Sequence, residues 1–455
     1  MAEQTPRSVG SSPEGPRLAR RLGYGDAVTV GVGSIVGTGL YVTLGKAAAA
    51  VGWQIVVVVA VAGALALFNG TSSARLAAAF PVSGGTYEYG YRLLRPVVGF
   101  GAGWVFVVGK VASAATAVLG ASEYAARFLA AATEGAVDFG GEGAAVRVVL
   151  AVALALGIGG ALAAGHRVTR AVNVVLLAVS FFALLALAAV AYTSPTRLAE
   201  AAAVPVGGSV ALGREWLHAV AIVFVAFTGY GRIATLGEEV VDPARTIPRA
   251  IGSALLVAAV LYLVMAGALL HRFGQGGLAA VVSQGDAPML ALAETSSGRW
   301  LSLLVAFGAV ASMTCVCANL VLGISRVLVA MGRRGDLPAR LAELSDTGAE
   351  RTPRRAVWTT AILVACLAAV GRVAFTWDLS AFTILVYYGV THVAAARLPG
   401  PPSRFARFAV GAGGAGCFLL AWWVSPPAWA TGAALLAVGL LWRGFWRRGR
   451  TVKDP

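Results

Sequence analysis

The sequence predicts an all-α integral membrane protein, one domain of about twelve transmembrane helices. Composition comes first: hydrophobic residues make up 58% of the 455 and charged residues 13%, whereas a soluble domain carries about 25% charged residues. Mean hydropathy is +0.78. The second observation is the recurrence of long, nearly charge-free runs, such as Trp53 to Phe68, Val172 to Tyr192 and Leu301 to Ile324. The third is that the basic residues punctuate these runs instead of gathering in one patch.

In chain order, the first 25 residues are polar and rich in Pro, Gly and Ser, with no apolar core for a cleavable signal. They read as a disordered cytoplasmic tail. A helix needs about 20 residues to cross roughly 30 Å of hydrocarbon. On that measure spans are expected at Asp26 to Lys46, Gln54 to Ala79, Val97 to Phe128, Arg147 to Ala164, Val172 to Tyr192 and Trp216 to Gly237. Six more follow at Ala250 to His271, Leu301 to Val329, Ala356 to Gly371, Ser380 to Ala396, Phe405 to Val424 and Ala428 to Trp442. The longest gaps, Ala130 to Val146, Thr193 to Glu215, Arg272 to Gly298 and Gly332 to Arg355, are read as loops too short for a second globular domain. A single transporter-sized domain is therefore expected over 26–446, with a basic tail at 447–455.

The net charge of +15 would suit nucleic acid, but its placement argues for lipid. Alternate loops carry Arg92 and Arg95, Arg167 and Arg170, Arg245 and Arg249, Arg333 and Arg334, and Arg404 and Arg407, while the opposite loops hold Glu134, Asp138, Glu142, Glu200, Asp286 and Asp378. This is the positive-inside pattern. It places the protein in the cytoplasmic membrane with both termini cytoplasmic and excludes a nucleic-acid partner, which would need one basic face.

Several strings imitate enzyme motifs. Gly39 to Lys46 resembles a phosphate loop, but five residues separate its glycines and Ala47 stands where a hydroxyl should hold magnesium. Gly31, Gly33 and Gly37 miss the dinucleotide spacing by one residue. Asn69-Gly70-Thr71 is a formal glycosylation sequon inside the second span, out of a transferase's reach. The four histidines, His166, His218, His271 and His392, fall near span ends in different loops, and the four cysteines all fall inside spans. No metal-ligand spacing, disulfide framework or nucleophile-base pair is visible, and neither a cofactor nor an enzymatic activity is expected.

The functional signal lies in two spans. The first holds four glycines between Gly31 and Gly39, and the sixth repeats the device in Phe227-Thr228-Gly229-Tyr230-Gly231. Paired interruptions in corresponding spans of two halves point to a transporter's midplane site. A broken helix frees backbone groups that are costly in lipid unless they line a cavity and bind something polar. Close helix packing is the competing explanation for membrane glycines.

These residues carry a family resemblance. Gly33-Ser34-Ile35-Val36-Gly37-Thr38-Gly39, Phe80-Pro81-Val82-Ser83-Gly84-Gly85-Thr86-Tyr87, and the run from Phe227-Thr228-Gly229 through Glu238-Glu239-Val240-Val241-Asp242-Pro243 resemble the amino acid, polyamine and organocation superfamily. Arg333-Arg334-Gly335-Asp336-Leu337-Pro338 is similar to it too. The resemblance implies an inverted five-plus-five helix repeat with two extra C-terminal helices, and a secondary transporter that moves amino acids by alternating access. A channel or substrate-sensing receptor on the same scaffold, or a polyamine or organocation transporter, are the alternatives.

Carried onto this chain, the resemblance places the substrate at Ser34, Ile35, Gly37, Thr38 and Gly39 of the first span and Val225, Ala226, Phe227, Gly229 and Tyr230 of the sixth. The half-helix after the first break would offer its positive end to a carboxylate. The carbonyls of Val225, Ala226 and Phe227 would accept from an ammonium. In proton-coupled bacterial relatives a fifth-span lysine stands where this chain has Val179. Lys110, about 20 Å into the third span at 1.5 Å per residue, and Arg232, just after the sixth-span break, are instead the coupling candidates, since intramembrane charges are functional by default. The coupling partner is expected to be a proton, or a second substrate in exchange; sodium would draw on Ser312 and Thr314. Glu238 and Glu239 are gate candidates, closing against Arg20, Arg21 or Arg326. Cations without a midplane carboxylate predict neutral or acidic substrates over arginine, lysine and polyamines.

Overall fold

A computed structural model of the chain describes residues 22–80, 84–133, 143–165, 170–194, 213–235, 240–284, 287–344 and 352–451. The described chain is almost wholly helical. Helix α1 (Tyr24–Ile35) stops at Val36, whose backbone is extended (φ −77°, ψ 105°). A π-helical turn, Gly39–Leu44, then leads into α2 (Gly45–Val51). After α3 (Ile55–Ala79) and the short α4 (Thr86–Leu93) come α5 (Pro96–Ala132), α6 (Gly143–Ala163) and α7 (Arg170–Thr193). The second interruption separates α8 (Arg214–Phe227) from α9 (Gly231–Thr235) by a 3-10 turn at Thr228–Tyr230. The remainder is α10 (Pro243–Ser283), α11 (Pro288–Ser297), α12 (Arg299–Arg333), α13 (Arg354–Ala368), α14 (Val373–Ala396), α15 (Arg404–Ala421) and α16 (Pro426–Thr451).

Nine helical stretches among the described residues are long and apolar enough to cross a membrane. The protein is thus a multi-helix integral membrane protein. Helix α5 runs through its middle and packs along α12 and α14. Small side chains let the helices approach: Ala112, Ala114, Ala115 and Ala117 are fully buried, and a Cβ at Gly109 would strike Thr383 and Ile384 of α14. Hydroxyl pairs bind α5 to α14 in the buried interior, Ser113 to Ser380 at 2.6 Å and Thr116 to Thr376 at 2.7 Å.

Three sequence expectations need correction. The stretch Arg272 to Gly298, read as loop, is largely helical: α10 continues to Ser283 past a non-helical Gly274 (φ 65°, ψ 177°), and α11 follows. Asp378, counted in a loop, lies inside α14, which begins at Val373. It is 7% exposed, and His218 Nε2 of α8 meets its Oδ1 at 3.0 Å, so a lone charge that looked like a span boundary is a buried polar contact. His392, placed near a loop, is 1% exposed within α14 and meets Ser72 at 2.9 Å and Asn69 of α3.

The two ends of the bundle hold different charge clusters. At one end the Arg334 guanidinium donates from Nε to Glu88 at 2.9 Å, and the fully buried Asp336 accepts from Tyr87 (2.9 Å) and Tyr91 and faces Arg443 at 3.6 Å. Burial, then the Asp336 carboxylate, pushes the Tyr87 phenol well above its ordinary pKa, so it remains a donor. Nearby, Val241 N donates to Leu22 O at 2.9 Å, joining the chain ahead of α1 to the segment after α9. The opposite end holds Glu123 with Arg127 (3.0 Å) and Arg147, besides the His218 and Asp378 pair.

Candidate functional site

The two interruptions meet. A Cβ on Gly229 would land on the Ser34 carbonyl and 2.6 Å from the Ile35 amide nitrogen, so only glycine permits this approach of the 3-10 turn to the end of α1. Gly39 is packed as tightly against Ala226 of α8, and a Cβ on Gly37 would sit 2.8 Å from Val316 Cγ2 of α12. The carbonyls freed by the first break are capped: Ser312 Oγ donates to Val36 O at 2.7 Å, and the Tyr262 phenol of α10 lies 3.3 Å from Ile35 O and 3.1 Å from Ala226 O. One hydroxyl proton is thereby shared between the ends of two broken helices. The Thr38 hydroxyl, by contrast, is buried and has no hydrogen-bond partner among the described residues.

Beside this meeting point lies a cavity of about 140 Å³. Ser34, Thr228, Gly229, Gly231, Lys110 and Arg232 contribute to its wall, together with Phe106 of α5, Val316, Asn319 and Leu320 of α12, and Tyr387 and Tyr388 of α14. It extends past Gly85, Tyr89 and Arg326, toward the end of the bundle that carries Glu88 and Arg334. On the other side of the breaks the helices are closed. There Tyr124 donates to Tyr41 O at 2.9 Å, Tyr41 meets Ser180 at 2.9 Å, and the two tyrosine rings pack edge to face.

Lys110 is 9% exposed, and its Nζ lies 3.3 Å from Thr228 Oγ1, whose own proton goes to Val225 O at 2.8 Å. Of the residues singled out from sequence, Ser34, Gly229, Lys110 and Arg232 line the cavity. Ile35, Gly37, Thr38, Gly39, Val225, Ala226, Phe227 and Tyr230 form the packed layer behind it. Ser312 reaches the first break, but Thr314 does not join it, because residues two apart on a helix face different ways. Glu238 and Glu239, with Arg20 and Arg21, lie outside the described residues. Tyr262, Asn319 and Tyr388 went unnoticed in the sequence; the only signal there was polar side chains at mid-span depth.

This geometry agrees with the comparisons to known proteins. The amino acid permease family matches residues 26–398, taking in both breaks and every cavity wall. The chain belongs to the amino acid permease family. It is therefore a secondary transporter of the amino acid, polyamine and organocation superfamily, and the family is one of transporters, not enzymes. The permease is 36% identical over 423 residues to an uncharacterised transporter of Mycobacterium tuberculosis, a match covering 93% of this chain and 90% of that one. It is 27% identical over 354 residues to the branched-chain amino acid permease of Bacillus subtilis, with 75% and 72% covered. It is 26% identical over 372 residues to the vacuolar cationic amino acid transporter 4 of Arabidopsis thaliana, with 78% and 59% covered.

Proposed function

We propose that this permease carries amino acids without net positive charge through the cavity beside the two breaks, by alternating access. The observation that carries the reading is the convergence of Ser34, Thr228, Gly229 and Gly231 on one cavity, open toward a single end while Tyr41, Tyr124 and Ser180 close the other. The Thr38 hydroxyl and the positive end of the helix after the first break suit an α-carboxylate. The negative carbonyl end of α8, at the second break, suits the α-ammonium.

In this reading the chain spans the membrane twelve times. The broken helices α1–α2 and α8–α9 would be first and sixth, α4 and α11 would lie outside the count, and the spans from α1 to α14 would form two inverted halves of five. Both termini would be cytoplasmic, so the cavity of this structure faces inward. Transport would draw on a proton carried by Lys110 or on exchange for a second amino acid. Sodium is the weaker reading, since only Ser312 of the two hydroxyls approaches the break.

The test is uptake of labelled amino acids by proteoliposomes under imposed proton and sodium gradients. Saturable uptake driven by a proton gradient or by internal amino acid is expected. A well-folded protein that takes up none, or that conducts ions without saturation, would favour a receptor or a channel.

A further inference from the structure

Resting on that reading, we infer that Lys110 recognises a second carboxylate, on the substrate's side chain, and that this permease selects dicarboxylic amino acids.

The argument begins with an unanswered charge. Lys110 lies 14 residues beyond Pro96, the first residue of α5, or about 20 Å along the helix axis at 1.5 Å per residue. Its stem therefore cannot carry the ammonium to an interface. A lysine ammonium has three protons to donate. Among the described residues its one hydrogen-bond acceptor is a neutral hydroxyl, Thr228 Oγ1, at 3.3 Å, longer than the roughly 2.7–2.9 Å of a charge-assisted bond. An ammonium buried with so little compensation is costly to keep charged.

No carboxylate belongs to the described wall of the cavity. Buried and half-buried acids elsewhere are engaged: Glu88 with Arg334, Asp336 with Tyr87, Tyr91 and Arg443, Glu123 with Arg127 and Arg147, and Asp378 with His218. Among the described residues no acid answers Lys110, and the cavity gives a substrate carboxylate access to it. In the proposed binding mode the α-carboxylate is met by the Thr38 hydroxyl and the half-helix end, in the layer behind the cavity wall. Lys110 projects from a different helix and sits over Thr228, with Asn319 and Phe106 also on the wall. A carboxylate on a short side chain would meet the ammonium there, and the Asn319 amide, one N–H of which is directed to Cys315 Sγ at 3.6 Å, has a second N–H to donate to its other oxygen. A substrate with only an α-carboxylate would leave Lys110 uncompensated, and a cationic side chain would meet like charge in a low dielectric. An anion and a proton held at one site also favour each other's binding, so recognition and proton coupling through Lys110 are consistent.

The experiment is equilibrium binding to the purified full-length protein in detergent, read by competition against a labelled ligand, with glutamate, aspartate, glutamine, asparagine, leucine and arginine as probes. Folding is checked by thermal unfolding. In the native protein each acid is expected to outcompete its own amide by roughly tenfold or more, since the two differ little in size and chiefly in charge. Lys110→Met should reverse that order while Lys110→Arg retains it. Leucine binding unaffected by excess glutamate or aspartate would overturn the inference while leaving an amino acid permease in place. Equal loss of acids and amides in a folded Lys110→Met would overturn it too, assigning Lys110 to the α-carboxylate common to all. Binding of none of the probes would instead remove the reading on which the inference rests. Because the comparison of acid with amide in the native protein decides the matter alone, a variant that fails to fold leaves the inference exposed to refutation.

Discussion

The first and second breaks look alike in sequence and do different work in the structure. Around Gly37 and Gly39 the chain is buried on every side: Val316 and Ala226 press on the glycines, and Ser312 and Tyr262 cap the carbonyls of Val36 and Ile35. Around Thr228 to Gly231 one face of the backbone is cavity wall, with Lys110 above it. Neither Gly37, Gly39, Gly229 nor Gly231 has a positive φ. Their glycines therefore serve close approach and not an unusual backbone conformation. The first break is an anchor and the second is a wall.

The largest effect should follow from Gly229→Ala, which tests whether the two breaks touch. The added methyl meets backbone atoms of Ser34 and Ile35, which have no rotamer to change. Separation of the breaks at a cost of about 3 kcal/mol or more is expected, with substrate binding lost and a clear fall in Tm. Gly231→Ala is the internal control, because its Cβ would meet only the movable Tyr388 hydroxyl at 3.2 Å. Equal binding by Gly229→Ala and the native protein would mean that the two breaks are not held together.

Gly37→Leu comes next and tests the anchor. Val316 Cγ2 lies 2.8 Å from the new Cβ position and Ser312 Oγ 3.5 Å away, so an isobutyl group has no space unless the π-helical turn shifts. Loss of substrate binding is expected with residual folding, and Gly37→Ala should retain part of the affinity because Val316 can rotate. Unchanged affinity in Gly37→Leu would place the substrate wholly on the wall of the second break.

How much of this was legible beforehand follows from where each signal resides. The membrane class, both breaks and the burial of Lys110 could be read because they depend on local runs: apolar length, glycine density, and distance from a helix start. The caps could not, because Tyr262 stands 227 residues from Ile35 and 36 from Ala226, and Ser312 stands 276 from Val36. Asp378 misled for the same reason, since a single carboxylate in an apolar run reads as a boundary until His218 is placed against it. The short helices α4 and α11 escaped because two to three turns carry too few apolar positions to establish a period.

Tyr262→Phe tests whether one hydroxyl holds the anchor and the wall together. Removing it leaves the carbonyls of Ile35 and Ala226 without that donor in a region that is otherwise packed, at a cost of about 1–3 kcal/mol. The ring itself, packed on Phe227 at 4.9 Å between centroids, would stay. A lower Tm together with weaker binding is therefore expected, and a lower Tm with unaltered binding would reduce Tyr262 to a packing role.

The smallest effect belongs to Ser312→Ala, which removes a single cap from the first break. Val36 is one residue outside α1 and its carbonyl accepts from Ser312 Oγ at 2.7 Å, so the loss should approach one ordinary hydrogen bond, about 1 kcal/mol. Ser312 does not line the cavity, and substrate preference should not change. Lithium and sodium titrations of the variant sharpen the comparison further. If the hydroxyl is only a cap, binding in the native protein and in Ser312→Ala will respond identically to added sodium. A sodium-dependent gain in native affinity that disappears in Ser312→Ala would turn the anchor into an ion site, and with it move the coupling of transport from Lys110 on the wall to the first break.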